Sequence, residues 1–280
     1  TPVCGAYAAP ALIEGTGVNS IIIATSGDVT ENESAQGDNA IAIGNGTSAD
    51  GNNSLAIGYS AHANKTNGIA IGNTAKANGE YGIAIGYKAE ANGDSIAIGW
   101  DTTAGNSSIA IGNGAKATER ISTAVGYGSI ASGEGAAALG GDAVGNYSVA
   151  LGTQAKANGV YSFAGADADA DGEYSIAIGY QTKVSAEGGQ STAIGYRASA
   201  TEKWSTAFGY YAKASGEQSI AVGYAEASAA GSAALGAYAK ANGERSTALG
   251  RSAVADGKSS VALGDNAKAQ AENSVAIGTN

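Results

Sequence analysis

The sequence predicts an all-β fold, a parallel β-roll with two short strands in each coil of about 14 residues. Three observations predict it. A tetrad, apolar-Ala-apolar-Gly, recurs in 18 copies from Ile41-Ala42-Ile43-Gly44 to Val275-Ala276-Ile277-Gly278, four opening on Thr and one, Phe163-Ala164-Gly165, degenerate. A weaker element, Ala-x-Ala followed by Asn-Gly or Ser-Gly, sits between successive tetrads, as in Ala75-Lys76-Ala77-Asn78-Gly79 and Ala239-Lys240-Ala241-Asn242-Gly243. The composition is the third: 280 residues hold 44 Gly and 62 Ala but only two Phe, two Trp and no Met. Large side chains are too few for one globular core of this length. Collagen is excluded, because Gly is far below one residue in three and there are only two Pro. Ile, Val and Leu at regular positions argue against disorder.

The first 36 residues depart from the period and form a separate segment, read as an N-terminal cap or a poorly ordered stretch. Within it Ile21-Ile22-Ile23-Ala24 reads as one irregular coil, and the polar run from Asp28 to Asp38 as a loop. A terminal coil leaves open strand edges, which calls for a capping element. Cys4 is the only cysteine, so an intrachain disulfide and a cysteine metal cage are both excluded. It reads as incidental, with an intermolecular disulfide as the alternative. The Thr1-Pro2 start, without Met or an apolar signal segment, suggests an excised piece of a longer chain.

Residues 37–280 form one array. Of the 17 intervals between tetrads, eleven are 14 residues, four are 13, one is 12 and one is 16. Period-two alternation and β-branched residues favour strand over helix, and repeated Asn-Gly would break a helix. The Gly after the tetrad and the Asn-Gly after the second strand are expected to supply positive-φ turn positions. Seventeen parallel rises of about 4.8 Å predict a rod of roughly 80 Å.

The second strand alternates Ala with Lys, Glu or Ser, the pattern of a half-buried strand. The tetrad carries no charge on either face, so both faces must be covered. One two-stranded coil covers only one, which requires an oligomer of identical chains. The expected orientation puts the two flanking apolar residues into the coil and the central Ala towards the partner; the reverse is the alternative.

Charge excludes some partners. A net charge of −10 argues against nucleic acid and anionic lipid, which demand clustered Lys and Arg. No apolar run reaches the roughly 20 residues of a membrane span.

The stretches Asn53-Ser54-Leu55-Ala56-Ile57-Gly58-Tyr59-Ser60 and Asn273-Ser274-Val275-Ala276-Ile277-Gly278 resemble the head repeats of trimeric autotransporter adhesins, the YadA-like heads. The resemblance spans residues 37–280. It implies a left-handed roll, a homotrimeric rod, and display from the bacterial outer membrane. It also implies extracellular-matrix ligands, collagen first, with fibronectin and laminin bound by some members. No enzyme activity and no cofactor are implied. The neck, stalk and C-terminal membrane anchor of that family have no counterpart before Asn280, so the chain reads as a head fragment, tied to a membrane only through an anchor outside it.

Catalytic constellations fail. His62, the only histidine, occupies the outward position of Ala61-His62-Ala63 and has no relay partners. Gly44-x-Gly46-x-x-Ala49 and Gly112-x-Gly114-x-x-Ala117 match a loose dinucleotide fingerprint, but a strand follows where a helix is required. Asp167, Asp169 and Asp171 match the opening of a calcium loop, yet Ile178 stands where a bidentate Glu is needed. They read as outward residues of an ordinary strand and a weak cation candidate; no other metal site is expected.

Aromatics follow the tetrad glycine at Tyr59, Tyr87, Trp100, Tyr127, Tyr180, Tyr196, Tyr210 and Tyr224. They read as edge or subunit packing, with a contact surface as the alternative. Candidate ligand-binding residues are Asn53, Ser54, Tyr59, Asn273 and Ser274 at turns, with Lys76, Lys156 and Lys240 on the outer strand. The competing function is a spacer or self-association module without a host ligand. An ice-binding roll is disfavoured, because flat Thr-x-Thr arrays are missing from the outer strand.

Overall fold

The computed structural model describes residues 11–24 and 33–279. Cys4, the Thr1-Pro2 start and the residues from Asp28 to Asn32 lie outside the described residues. All 18 tetrads form three-residue strands, beginning with Ile41–Ile43 and Leu55–Ile57 and ending with Val275–Ile277. Two-residue strands alternate with them, from His62–Ala63 to Lys268–Ala269. There is no helix among the described residues.

The chain divides into two compact units, Thr1–Gly135 and Ala136–Asn280. In the first, β1 (Ala11–Glu14) pairs antiparallel with β2 (Ile21–Ala24), and β2 pairs in parallel with Ile41–Ile43. The three-residue strands then pair in parallel, residue for residue, as in Ile41↔Leu55, Leu55↔Ile69 and Ile69↔Ile83. The two-residue strands build a second parallel ladder: His62↔Lys76, Lys76↔Glu90, Glu90↔Thr103. The second unit repeats both, with Ala137↔Val149 through Val261↔Val275 on one side and Asp142↔Lys156 through Val254↔Lys268 on the other. Each coil thus bonds to the next chiefly through backbone groups. Gly58 N donates to Ile43 O at 2.8 Å, and Leu55 N to Gly68 O at 2.9 Å.

The two turns differ. After the long strand Gly58 adopts φ +127° and Ser60 φ +50°, so the first turn does use positive φ at its glycine. At the second turn the expectation holds at Gly93, with φ +90°, and fails at Gly79. Gly79 lies outside the left-handed region, and Tyr81, two residues on, holds φ +56°. Gly79 is needed for closeness instead: a Cβ there would stand 2.1 Å from Gly93 Cα of the next coil.

The core is almost entirely alanine. The central Ala of the long strands is fully enclosed, as at Ala42, Ala56, Ala84 and Ala207, and so are both Ala of Ala-x-Ala, as at Ala75 and Ala77. Among the described residues nothing larger than Val184 is fully enclosed. This reverses the expected orientation of the tetrad. The flanking residues point outward: Ile109 and Ile111 are each 37% exposed and Phe208 54%. Space explains it. The coil interior is narrow enough that three methyl groups fill it, and the inward Ile22, in register with Ala42, stands in the terminal irregular coil. Val184 stands in the one coil of 16 residues, where the longer second turn makes room.

Serine completes the interior. Ser108, Ser122 and Ser175, each just before a long strand, are buried, and their hydroxyls donate to the carbonyl three residues back at 2.8, 2.6 and 2.6 Å. Burying a methyl contributes about 0.8 kcal/mol, against about 1–2 kcal/mol of backbone entropy per residue. A coil this poor in apolar burial depends on its two neighbours and on whatever covers its outer face.

Candidate functional site

Three sets of side chains run along the outside. The first is the outward position of the short strands, where charges alternate: Asp142, Lys156, Asp169 and Lys183, then Lys213, Glu226 and Lys240. Lys213 Nζ lies 3.0 Å from Glu226 Oε1. Similar pairs link neighbouring coils at the turns, Arg120 with Glu134 at 2.6 Å and Arg251 with Asp265 at 2.7 Å. Lys258 at 3.0 Å from Glu244 holds that carboxyl below its ordinary range, by its hydrogen bond first and its charge second. Exposed pairs of this kind add little stability singly.

The second column is aromatic. Tyr180, Tyr196 and Tyr210 stack with centroids 5.3 and 5.2 Å apart, and Tyr87 stacks on Trp100 at 6.0 Å. A separate ladder, Tyr147, Tyr161 and Tyr174, stands at the other turn with spacings of 5.1 Å. Its members occupy positive-φ positions, which gave no warning in the sequence because Tyr is an unusual residue there. Arg197 donates to the Tyr211 hydroxyl at 2.9 Å and lies over the Tyr196 ring. That hydrogen bond, with the neighbouring Tyr196 and Tyr211, raises the guanidinium pKa further.

The third column is the outward apolar pair of each long strand. Ile176 and Ile178 are 40% and 37% exposed, and Leu249 and Leu263 are exposed to a similar degree. One row is apolar throughout except at Gly165, and its companion row is interrupted by Thr123 in the first unit and by Thr192, Thr206 and Thr247 in the second.

Among the candidate ligand residues, Asn53, Tyr59 and Asn273 are exposed at turns, and Lys76, Lys156 and Lys240 are exposed on the outer strand. Ser274 is half-buried. Ser54 is inside the coil, 2% exposed, and offers no side chain to the surface. His62 lies in the charge column beside Lys76. Asp169 stands between Lys156 and Lys183 in register, and Asp171 accepts a hydrogen bond from Asn158 at 2.6 Å. Among the described residues no three His, Cys, Asp or Glu side chains converge as a metal site.

A family model described as the YadA head domain repeat matches this chain in thirteen stretches between residues 35 and 280, among them 35–61, 122–143, 227–253 and 255–280. The chain belongs to the YadA head family. YadA-like heads are structural domains of adhesins and not enzymes, and this chain is accordingly an adhesin head. No curated protein matches it. Among solved structures it is similar to the collagen-binding domain of the Yersinia adhesin YadA, with 28% identity over 57% of this chain. It spans 66% of that chain, and the TM-score is 0.29. The YadA head assignment therefore rests on the repeat, whose strands, turns and enclosed alanines recur coil after coil.

Proposed function

We propose that this head is displayed from a bacterial outer membrane as a homotrimer and binds host extracellular-matrix protein, collagen first, with fibronectin and laminin as further candidates. The observation that carries the ligand reading is repetition on the outside. Asn53 and Asn273 are exposed at one place in the coil, Tyr59 at a second, and Lys76, Lys156 and Lys240 at a third, each place recurring along the array. Weak contacts repeated along one body add through effective concentration. The apolar stripe supports the trimer, because half-exposed Ile and Leu in two rows need a cover and a second and third copy supply the same surface.

A solid-phase assay of the purified chain on collagen, fibronectin and laminin tests the ligand. Saturable binding to collagen is expected. No saturable binding to any of the three overturns the ligand reading, and agglutination of displaying cells without it favours self-association. Light scattering tests the assembly: a mass of 27.1 kDa, that of one chain, refutes the trimer.

A further inference from the structure

We infer that Asn92-Gly93, in a second turn of the first unit, is a self-modification site, where the chain converts its own Asn92 amide into a carboxylate that the roll accommodates. The Gly93 backbone nitrogen loses its proton to hydroxide and attacks Asn92 Cγ. The N–Cγ bond forms, the Cγ–Nδ2 bond breaks, and ammonia leaves carrying a proton returned by water. Water then opens the cyclic imide at either carbonyl, giving aspartate or isoaspartate, with no oxidation or reduction. Asn-Gly is the pair that permits this, because glycine puts no side chain in the way of the attack.

The sequence holds seven Asn-Gly pairs, and the fold separates them. Five of the glycine amides already donate. Gly46 N donates to Glu33 Oε1 at 3.3 Å, Gly68 N to Lys65 O at 3.0 Å and Gly114 N to Trp100 O at 2.8 Å. Gly159 N and Gly243 N donate to Ala170 O and Ala255 O, each at 3.1 Å. Such an amide must give up its bond before it can lose its proton and turn on Cγ. Gly79 and Gly93 make no such bond among the described residues. Gly79 is buried, however, and the amide of its Asn78 is held: Nδ2 donates to Glu90 Oε1 at 3.0 Å and to Asn92 Oδ1 at 2.9 Å. Asn92 Nδ2, the leaving nitrogen, donates to nothing among the described residues, and Gly93 is half-exposed to water. The free amide falls in an irregular turn. Ile83 to Ile96 spans 13 residues rather than 14, and Gly93 takes φ +90°.

Asn92 is also activated. A carboxylate only accepts, so Glu90 fixes Asn78 Nδ2 as the donor and therefore Asn92 Oδ1 as the acceptor. A hydrogen bond on that oxygen draws electron density from Cγ and stabilises the negative charge that grows there during attack. The product fits as well. Asp171 and Asp256 already stand in this column and accept from Asn158 Nδ2 at 2.6 Å and Asn242 Nδ2 at 2.8 Å. Asn78 would keep the same contact with an aspartate at position 92.

The test holds the full chain at mildly alkaline pH, once folded and once in concentrated urea, and follows each Asn-Gly pair by proteolysis and fragment-ion mass spectrometry. In the folded chain Asn92 is expected to convert first, at least about fivefold faster than Asn158 and Asn242, the rate equivalent of one hydrogen bond. In urea the pairs should converge. Conversion of Asn92 no faster than the other pairs in the folded chain overturns the proposal. A lead of equal size in urea also overturns it, because local sequence would then set the order. Asn92→Asp is expected to keep the far-UV dichroism and cooperative melt of the parent, and an unfolded variant overturns the proposal too.

Discussion

Gly79→Ala isolates what the second-turn glycine does. The added Cβ would stand 2.1 Å from Gly93 Cα and from Gly93 O, where ordinary contact begins at 3.4 Å. Both are backbone atoms, so no rotamer relieves the clash and the coils must part by about 1.3 Å, the difference of those two distances. Adjacent to it, Asn78 N donates to Ala91 O at 2.8 Å. Stretched by that amount, the bond is lost. Loss of the bond, its unsatisfied groups and the overpacking together cost about 3–5 kcal/mol. At about 2–4 °C per kcal/mol, the melting temperature falls by about 6–20 °C. Gly128→Ala is the control, with φ +65° and nothing within 4 Å of the added atom. It carries only the left-handed backbone cost, about 1–2 kcal/mol. Scanning calorimetry of both variants decides it. A Gly79→Ala melt equal to or above that of Gly128→Ala refutes close approach as the reason for this glycine.

The core makes a related prediction: Ala84→Leu places a large side chain where the residue is fully enclosed, and urea denaturation is expected to show a loss of at least about 3 kcal/mol or no folded chain. Ile109→Glu with Ile111→Glu charges the apolar stripe without touching the coil interior; far-UV dichroism is expected to be retained while the mass by light scattering falls towards 27.1 kDa. Glu244 has a depressed pKa from Lys258, so its contribution is present above the unfolded-state value and is lost as pH falls through the folded value. Glu244→Gln should therefore melt below the parent at neutral pH and converge with it in acid; a gap that widens on acidification contradicts this.

The period, the strand positions and the parallel stacking were legible because the tetrad and Ala-x-Ala each alternate in steps of two. Orientation was not read correctly, although the signal was there. The central residue is Ala in all 18 tetrads, whereas the flanks range over Ile, Leu, Val, Thr, Ala, Phe and even Gly165. Tolerance belongs to the open side and uniformity to the cramped one. The internal serines were missed for a different reason: a hydroxyl that bonds its own turn, as Ser175 does to Gly172, looks like any polar loop residue in a sequence. The tyrosine ladders lay between. The row after the tetrad glycine was visible in its spacing, whereas the ladder of Tyr147, Tyr161 and Tyr174 was not, since its turn positions hold a positive φ that Tyr rarely adopts.

The aspartates show how neighbours in the fold reinterpret a motif. Asp167, Asp169 and Asp171 suggest a cation only while the next coils are out of view. In register, Asp169 faces Lys156 on one side and Lys183 on the other. Two lysines about 5 Å away in a solvent-like dielectric contribute about 0.8 kcal/mol each before screening. Asp169→Lys would replace these attractions by repulsions among three successive lysines. The change is therefore about 3 kcal/mol at most at low salt, and most of it disappears in 1 M NaCl, where the Debye length is about 3 Å. Melting the parent and the variant in 20 mM and 1 M NaCl measures it. The gap between them should close with salt, and millimolar calcium should leave the parent's melt unmoved. A gap independent of salt would show that Asp169 acts by some contact other than charge. A calcium-induced rise in the parent's melting temperature would return the three carboxylates to the role of a cation site.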